Sequence, residues 1–383
     1  MPPVLSTLRR ILAACLAAPL LLGGCAARLV PAGAAVTEPA RAEGAFVMAD
    51  GTRLDYRVWR PVGEPRAVIL ALHGMNDSRD AWEVPGPAFA AAGIEVVAPD
   101  QRGFGATAER GYWPGTATLV ADARTMVALV RAAHPTSKLY VMGESMGGAV
   151  AICLAASAHP PPIDGTILVS PAVWGRGEMN IFERAGLWMM DRTVPGLHLT
   201  GSIVRVMASD NRAAIRRLST DPLTLRSTRV DAIKGLVDLM DAALADVPRM
   251  RGPTLFLYGG KDDLIPKRAA AAAWERLPPG ARTAFYPGGY HLMLRDLDRA
   301  TPIGDVIAWI DDPGTPLPSG AGARGRVWLT HREEEEAPAH PVLEADRDTP
   351  PLAPPARGGG QVGGTALSTP PPLAGGVRGG VGT

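Results

Sequence analysis

The strongest constraint on the fold is a series of short apolar runs that alternate with helical patterns. Ala67 to Leu72, Ile94 to Ala98, Lys138 to Met142, Thr166 to Val169 and Thr254 to Tyr258 are each of strand length and largely apolar. Strands of that kind must be covered on both faces, which calls for a mostly parallel sheet between two layers of helices. Helical periodicity fills the gaps, over Val84 to Ala92, Thr118 to Ala133, Gly147 to Ala158, Lys267 to Arg276 and Pro302 to Ile310. Phe46-Val47-Met48, a turn at Asp50-Gly51 and Leu54 to Trp59 read as an opening hairpin. The expected class is therefore α/β, a mostly parallel central sheet flanked by helices. The alternation stops after Pro171: from Ala172 to about Arg249 the pattern is helical without strands, as for a helical cap inserted after the sixth strand.

The two ends of the chain read differently. Arg9 and Arg10 precede an apolar run from Ile11 to Leu22, too short for a permanent span and suited to a signal peptide over residues 1–24. Leu22-Gly23-Gly24-Cys25 is similar to a bacterial lipobox, in which the Cys25 thiol accepts a diacylglyceryl group. Each buried CH₂ of such an anchor adds ~0.8 kcal/mol of membrane affinity. The expectation is a lipoprotein of the cell envelope, held in the outer membrane and facing the periplasm, with residues 25–45 as a linker. At the far end, 17 of the 35 residues from Thr349 to Thr383 are Gly or Pro, and Glu333 to Glu336 form a charge run. Such composition buries too little apolar area to offset chain entropy, so residues from Pro313 to Thr383 are expected to be a disordered tail. This leaves residues 46–312 as the folded unit.

Several function classes are disfavoured by composition. With 39 basic and 38 acidic residues the chain has no single-sign field, so nucleic acid is not an expected partner. Three cysteines, Cys15, Cys25 and Cys153, are too few for a disulfide framework, and no His/Asp/Glu cluster has metal-ligand spacing, so no metal is expected.

Gly143-Glu144-Ser145-Met146-Gly147 matches G-x-S-x-G, directly after a strand and before a helix of small residues. That is the setting of a nucleophile elbow, a turn so sharp that its flanking positions must lack Cβ. A Ser hydroxyl needs a base, and the base needs an orienting carboxylate. In enzymes with this elbow the acid and then the His follow the Ser along the chain. Of seven histidines, only His291 follows the last candidate strand, Thr283 to Tyr286, in a loop able to reach over the sheet. The acid belongs at the end of the preceding strand, where Asp262 and Asp263 stand side by side. Leu72-His73-Gly74-Met75 ends an early strand, and the N–H groups of Met75 and Met146 are the candidate oxyanion donors. His73 reads as a structural residue of that loop.

The segments Leu72-His73-Gly74, Asp100-Gln101-Arg102-Gly103-Phe104-Gly105, Gly143 to Gly148, Gly260-Lys261-Asp262-Asp263-Leu264-Ile265-Pro266 and Gly289-Tyr290-His291 carry a resemblance. Together they resemble the monoacylglycerol lipase and lysophospholipase branch of the α/β-hydrolases, over Phe46 to Asp312. The resemblance implies the α/β-hydrolase fold, selects Asp262 as the acid, and implies a catalytic triad of Ser145, Asp262 and His291 with no cofactor. It makes the Asp100 to Gly105 segment mainly structural, and it extends over the insertion segment from Ser209-Asp210-Asn211 through Asp221-Pro222-Leu223. The implied activity is hydrolysis of acyl esters of monoacylglycerol or lysophospholipid type through an acyl-enzyme. A small lipid or ester would be the substrate, and an N-terminal anchor would hold the enzyme at a membrane. Trp174, Phe182, Leu187, Trp188, Met189, Met190 and Met207 make the cap apolar, suited to an acyl chain or to packing on the body. Two other enzyme readings share the triad, a small-ester esterase and a serine aminopeptidase. A non-catalytic envelope lipoprotein would lack a triad member, and none is missing.

Overall fold

The computed structural model describes residues 27–200 and 206–336, with side chains to Leu329. The signal-peptide segment, Cys25 and the chain beyond Glu336 lie outside the described residues.

The opening strands are β1 (Ala40–Ala42), β2 (Ala45–Val47) and β3 (Arg53–Trp59), joined antiparallel. They lead into β4 (Ala67–Leu72), α1 (Pro85–Ala91), β5 (Ile94–Pro99), α2 (Thr116–Ala133), β6 (Lys138–Glu144), α3 (Met146–Ala156) and β7 (Gly165–Val169). The last part of the body comprises β10 (Thr254–Gly259), α7 (Lys267–Trp274), β11 (Arg282–Tyr286), α8 (Ala300–Asp311) and α9 (Ala321–Glu336). Between β7 and β10 lies the cap: α4 (Ile181–Thr193), β8 (His198–Thr200), α5 (Arg212–Thr220), β9 (Ser227–Arg229) and α6 (Val230–Asp246).

The main sheet runs β1-β2-β3-β5-β4-β6-β7-β10-β11, parallel from β5 to β11. Every residue of β4, β5, β7 and β10 is buried, as their apolar runs require. The crossover from β4 goes to β5 on one side, and the chain then returns to β6 on the other. That reversal opens a crevice at the carboxyl ends of β4 and β6, the place where open α/β sheets hold ligands. Ser145 follows β6 and Met75 follows β4, so both candidate parts lie at its mouth. Arg102, in the segment read as structural, is buried between Asp50 at 2.7 Å and Asp122 at 2.8 Å.

Four sequence expectations need correction. Within the region expected to be a linker, the described residues are tied to the rest of the fold: β1 pairs with β2, and the Arg28 N–H donates to Asp231 of the cap at 3.0 Å. The extra strand also makes the cap follow the seventh strand. The cap is not free of strands either, since β8 and β9 pair antiparallel within it. The largest change concerns the region from Pro313, which was expected to be disordered. Leu317 and Ala321 are buried, and α9 lays Trp328 flat on Phe285, with ring centroids 4.9 Å apart and planes inclined by 9°. Trp328 also meets Tyr258 at 5.4 Å and Trp274 at 5.0 Å. The Gly/Pro-rich stretch from Thr349 to Thr383 lies outside the described residues, and Trp328, with the buried Leu317 and Ala321, docks this helix. Trp328→Ala is expected to lower stability by about 2–3 kcal/mol, toward the low end for a half-buried aromatic. Denaturant titration checks this, while ester hydrolysis by the folded variant should be unchanged.

Candidate active site

Ser145 sits at φ 53°, ψ −116°, a conformation that a residue with a Cβ adopts only under strain. The turn is held from both sides, Ser145 N–H donating to Val169 O at 3.0 Å and Gly147 N–H to His73 O at 3.1 Å. The sterics explain the motif. A Cβ on Gly143 would lie 2.2 Å from Gly147 O, and one on Gly147 would lie 2.2 Å from Leu72 O. Ser145 occupies the N-cap of α3, yet its side chain caps nothing, which leaves the hydroxyl available. The helix is apolar all round and buried along nearly its whole length, so its amino end is fixed against the sheet.

The loop after β4 supplies the facing wall. His73 is buried, its Nδ1 lies 2.7 Å from Gly74 O, and its Nε2 accepts from Gln101 N–H at 3.0 Å. Burial lowers its pKa, and both ring nitrogens are engaged, in keeping with a structural role. The N–H groups of Met75 and Met146 donate to no acceptor among the described residues. They are the two backbone donors beside Ser145 that an oxyanion would need.

Asp262 follows β10 and His291 follows β11. Asp262 Oδ2 lies 2.9 Å from His291 Nδ1, and its Oδ1 accepts the N–H groups of Leu264 and Ile265, both at 2.9 Å. Asp263 is exposed, which separates the two adjacent carboxylates. Ser145 and His291 line one cavity of about 660 Å³ beneath the cap. Burial alone would lower the His291 pKa, but the nearby carboxylates of Asp262 and Glu144 outweigh it and raise the value above that of an ordinary histidine. An imidazole acting as base must be neutral, so kcat/KM is expected to fall on the acid side with a midpoint above ~6.5. A midpoint below pH 6 would contradict this. The same shift stabilises the fold at low pH, and that contribution is lost as pH rises through the raised value.

The cap residues divide into two groups. Trp174 and Leu187 line the cavity together with Met179, Leu236 and Met240, whereas Phe182, Trp188, Met189 and Met207 are exposed. The Ser209-Asp210-Asn211 segment tethers the cap to the His291 loop. Ser209 Oγ donates to Asp296 at 2.6 Å, Asn211 Nδ2 to Arg295 O at 2.8 Å, and Leu292 N–H to Ala208 O at 2.9 Å. Reading the sequence missed Arg295, whose guanidinium joins Asp77 at 2.8 Å to Glu144. The available signal was a charged residue four positions after the candidate base, directly after the apolar Leu292-Met293-Leu294 run. Among the described residues no group of His, Cys, Asp and Glu could hold a metal ion.

Residues 63–298, more than half of the chain, match the family described as serine aminopeptidase, S33. The chain belongs to that family. Among its relatives, the monoacylglycerol lipase of Mycolicibacterium smegmatis is 26% identical over 273 residues, covering 70% of this chain and 97% of the relative. The monoglyceride lipase of Homo sapiens is 28% identical over 260 residues, covering 67% and 85%. Two solved structures share the fold. A soluble variant of the Saccharomyces cerevisiae monoglyceride lipase superposes with a TM-score of 0.60 at 17% identity, covering 76% of this chain and 99% of the other. The Paleococcus ferrophilus monoacylglycerol lipase gives 0.56 at 23% identity, covering 67% and 98%. The chain thus has the α/β-hydrolase fold expected from its sequence.

Proposed function

We propose that the protein is a serine carboxylester hydrolase that cleaves monoacylglycerol-type esters through an acyl-enzyme. The observation that carries this reading is the position of the strained Ser145 and of His291, held by Asp262, on one apolar, capped cavity. In the cycle, His291 takes the Ser145 proton as Oγ attacks the ester carbonyl, and the N–H groups of Met75 and Met146 receive the oxyanion. The tetrahedral intermediate then breaks its bond to the alcohol, which leaves with the proton from His291. Water, deprotonated by His291, attacks the acyl-enzyme and releases the fatty acid and Ser145.

Relatives named monoacylglycerol or monoglyceride lipase support the substrate class, and so does the apolar lining of the cavity. The family description also raises aminopeptidase activity, which calls for a free carboxylate to hold the substrate ammonium. Each carboxylate that lines the cavity already has a partner among the described residues. Asp77 and Glu144 are both taken by Arg295, and Glu183 accepts the Asn180 N–H at 2.8 Å as part of a helix cap. Hydrolysis of monoacylglycerols, lysophospholipids, short esters and aminoacyl amides, compared with Ser145→Ala as the blank, tests the assignment. Amide cleavage exceeding ester cleavage would overturn it.

A lipoprotein anchor at Cys25 belongs to the same reading, with the enzyme held at the outer membrane of a bacterial envelope. Its support is the Leu22-Gly23-Gly24-Cys25 sequence and the exposed Phe182, Trp188 and Met189 of α4, an apolar patch of the kind that meets lipid. Acyl labelling that persists in Cys25→Ser would count against it.

A further inference from the structure

The candidate base stands far from its nucleophile in the sheet. β11, which precedes His291, is three positions from β6, so the His291 loop must reach about 14 Å sideways at the usual strand spacing. A loop of that reach needs an anchor, and Arg295 provides one. It is 5% exposed, and its N–H closes a turn on Leu292 O at 2.7 Å. Its Nη1 donates to Asp77 Oδ2 at 2.8 Å and its Nη2 to Glu144 Oε1. Asp77 N–H closes the turn on Gly74 O, at 3.2 Å, that contains Met75, and Glu144 directly precedes Ser145.

We propose that Arg295, Asp77 and Glu144 form the positioning unit that sets the Met75 N–H, Ser145 and His291 against one another. The inference rests on the ester-hydrolase reading above. One guanidinium touches the immediate neighbourhood of all three reacting groups, and its planar fork holds the two carboxylates in a fixed geometry through separate nitrogens. Stability does not account for the cluster. Three buried charges gain little over well-packed apolar residues. Arg295 Nε is also buried without a partner among the described residues, a cost that a purely structural site has no reason to keep. Around the imidazole the charged groups are Asp262 from the β10 loop, Glu144 from β6 and Arg295 from its own segment. Asp296, next to Arg295, is engaged by Ser209 and the Tyr290 N–H. With two carboxylates against one guanidinium, the unit leaves one negative charge facing the imidazolium that forms during the reaction.

Arg295→Lys and Glu144→Gln separate positioning from mere structure. Both are expected to melt cooperatively and to lose about 100-fold in kcat with KM within about twofold, the scale of a misplacement near 1 Å. Glu144→Gln should also move the acid limb of kcat/KM to lower pH, because a carboxylate that favours the imidazolium is gone. The rate of Ser145 labelling by a fluorophosphonate should fall in parallel. The proposal is overturned if kcat stays within about threefold of wild type. It is equally overturned if the loss vanishes well below the melting temperature, or if the acid limb stays put. Should Glu144→Gln fail to fold, Asp77→Asn puts the same question from the other carboxylate. A wild type inactive on every ester removes the hydrolase reading itself, whereas an active wild type with indifferent variants removes only the positioning unit.

Discussion

Ser145→Ala is expected to lower kcat for ester hydrolysis by about 10⁶-fold, the scale on which a serine nucleophile and its base act as one unit. The fold should be untouched, because the side chain makes no capping bond and the strained backbone, φ 53°, is imposed by the turn. Ser145→Gly should match the activity loss of Ser145→Ala and melt at a temperature no lower, since glycine relieves a strain of about 1–3 kcal/mol. Initial rates on a medium-chain ester and paired thermal melts check both statements. Substantial turnover by the alanine variant would place the nucleophile elsewhere.

Asp262→Asn carries the second largest effect, about 10⁴-fold in kcat, or ~5.5 kcal/mol of transition-state stabilisation. The reason lies in the two N–H groups, from Leu264 and Ile265, that point at Oδ1. They can only be met by an amide oxygen, so the asparagine must turn its NH₂ toward His291 Nδ1. The imidazole then carries its proton on Nε2 and cannot take one from Ser145. KM and melting temperature should change little, since the amide keeps the size and the loop bonds of the carboxylate. Asp263→Asn serves as the control and should be silent, because that side chain is exposed.

The region from Pro313 to Glu336 shows how composition can mislead. It stands in a glycine- and proline-rich end of the chain, yet Trp328 finds Tyr258, Trp274 and Phe285 and docks a helix on β11. A composition average does not register a single aromatic with a receptive surface. The cap shows the complementary case. Its apolar residues were evident, but which of them face the cavity depends on the rotation of α4, and that is set by packing rather than by residue type.

The sequence by itself determined the α/β class, the elbow at Ser145 and the choice of His291. Each rests on local physics: apolar strands that need two covered faces, glycines that a Cβ would clash with, and chain order. The tertiary structure decided what depends on partners far apart in the chain. Asp77 and Arg295 are separated by 218 positions, and no periodicity announces their contact. Asp262 and Asp263 have the same chemistry in sequence, where the resemblance alone favoured Asp262; burial and the Asp262 bond to His291 give the physical distinction.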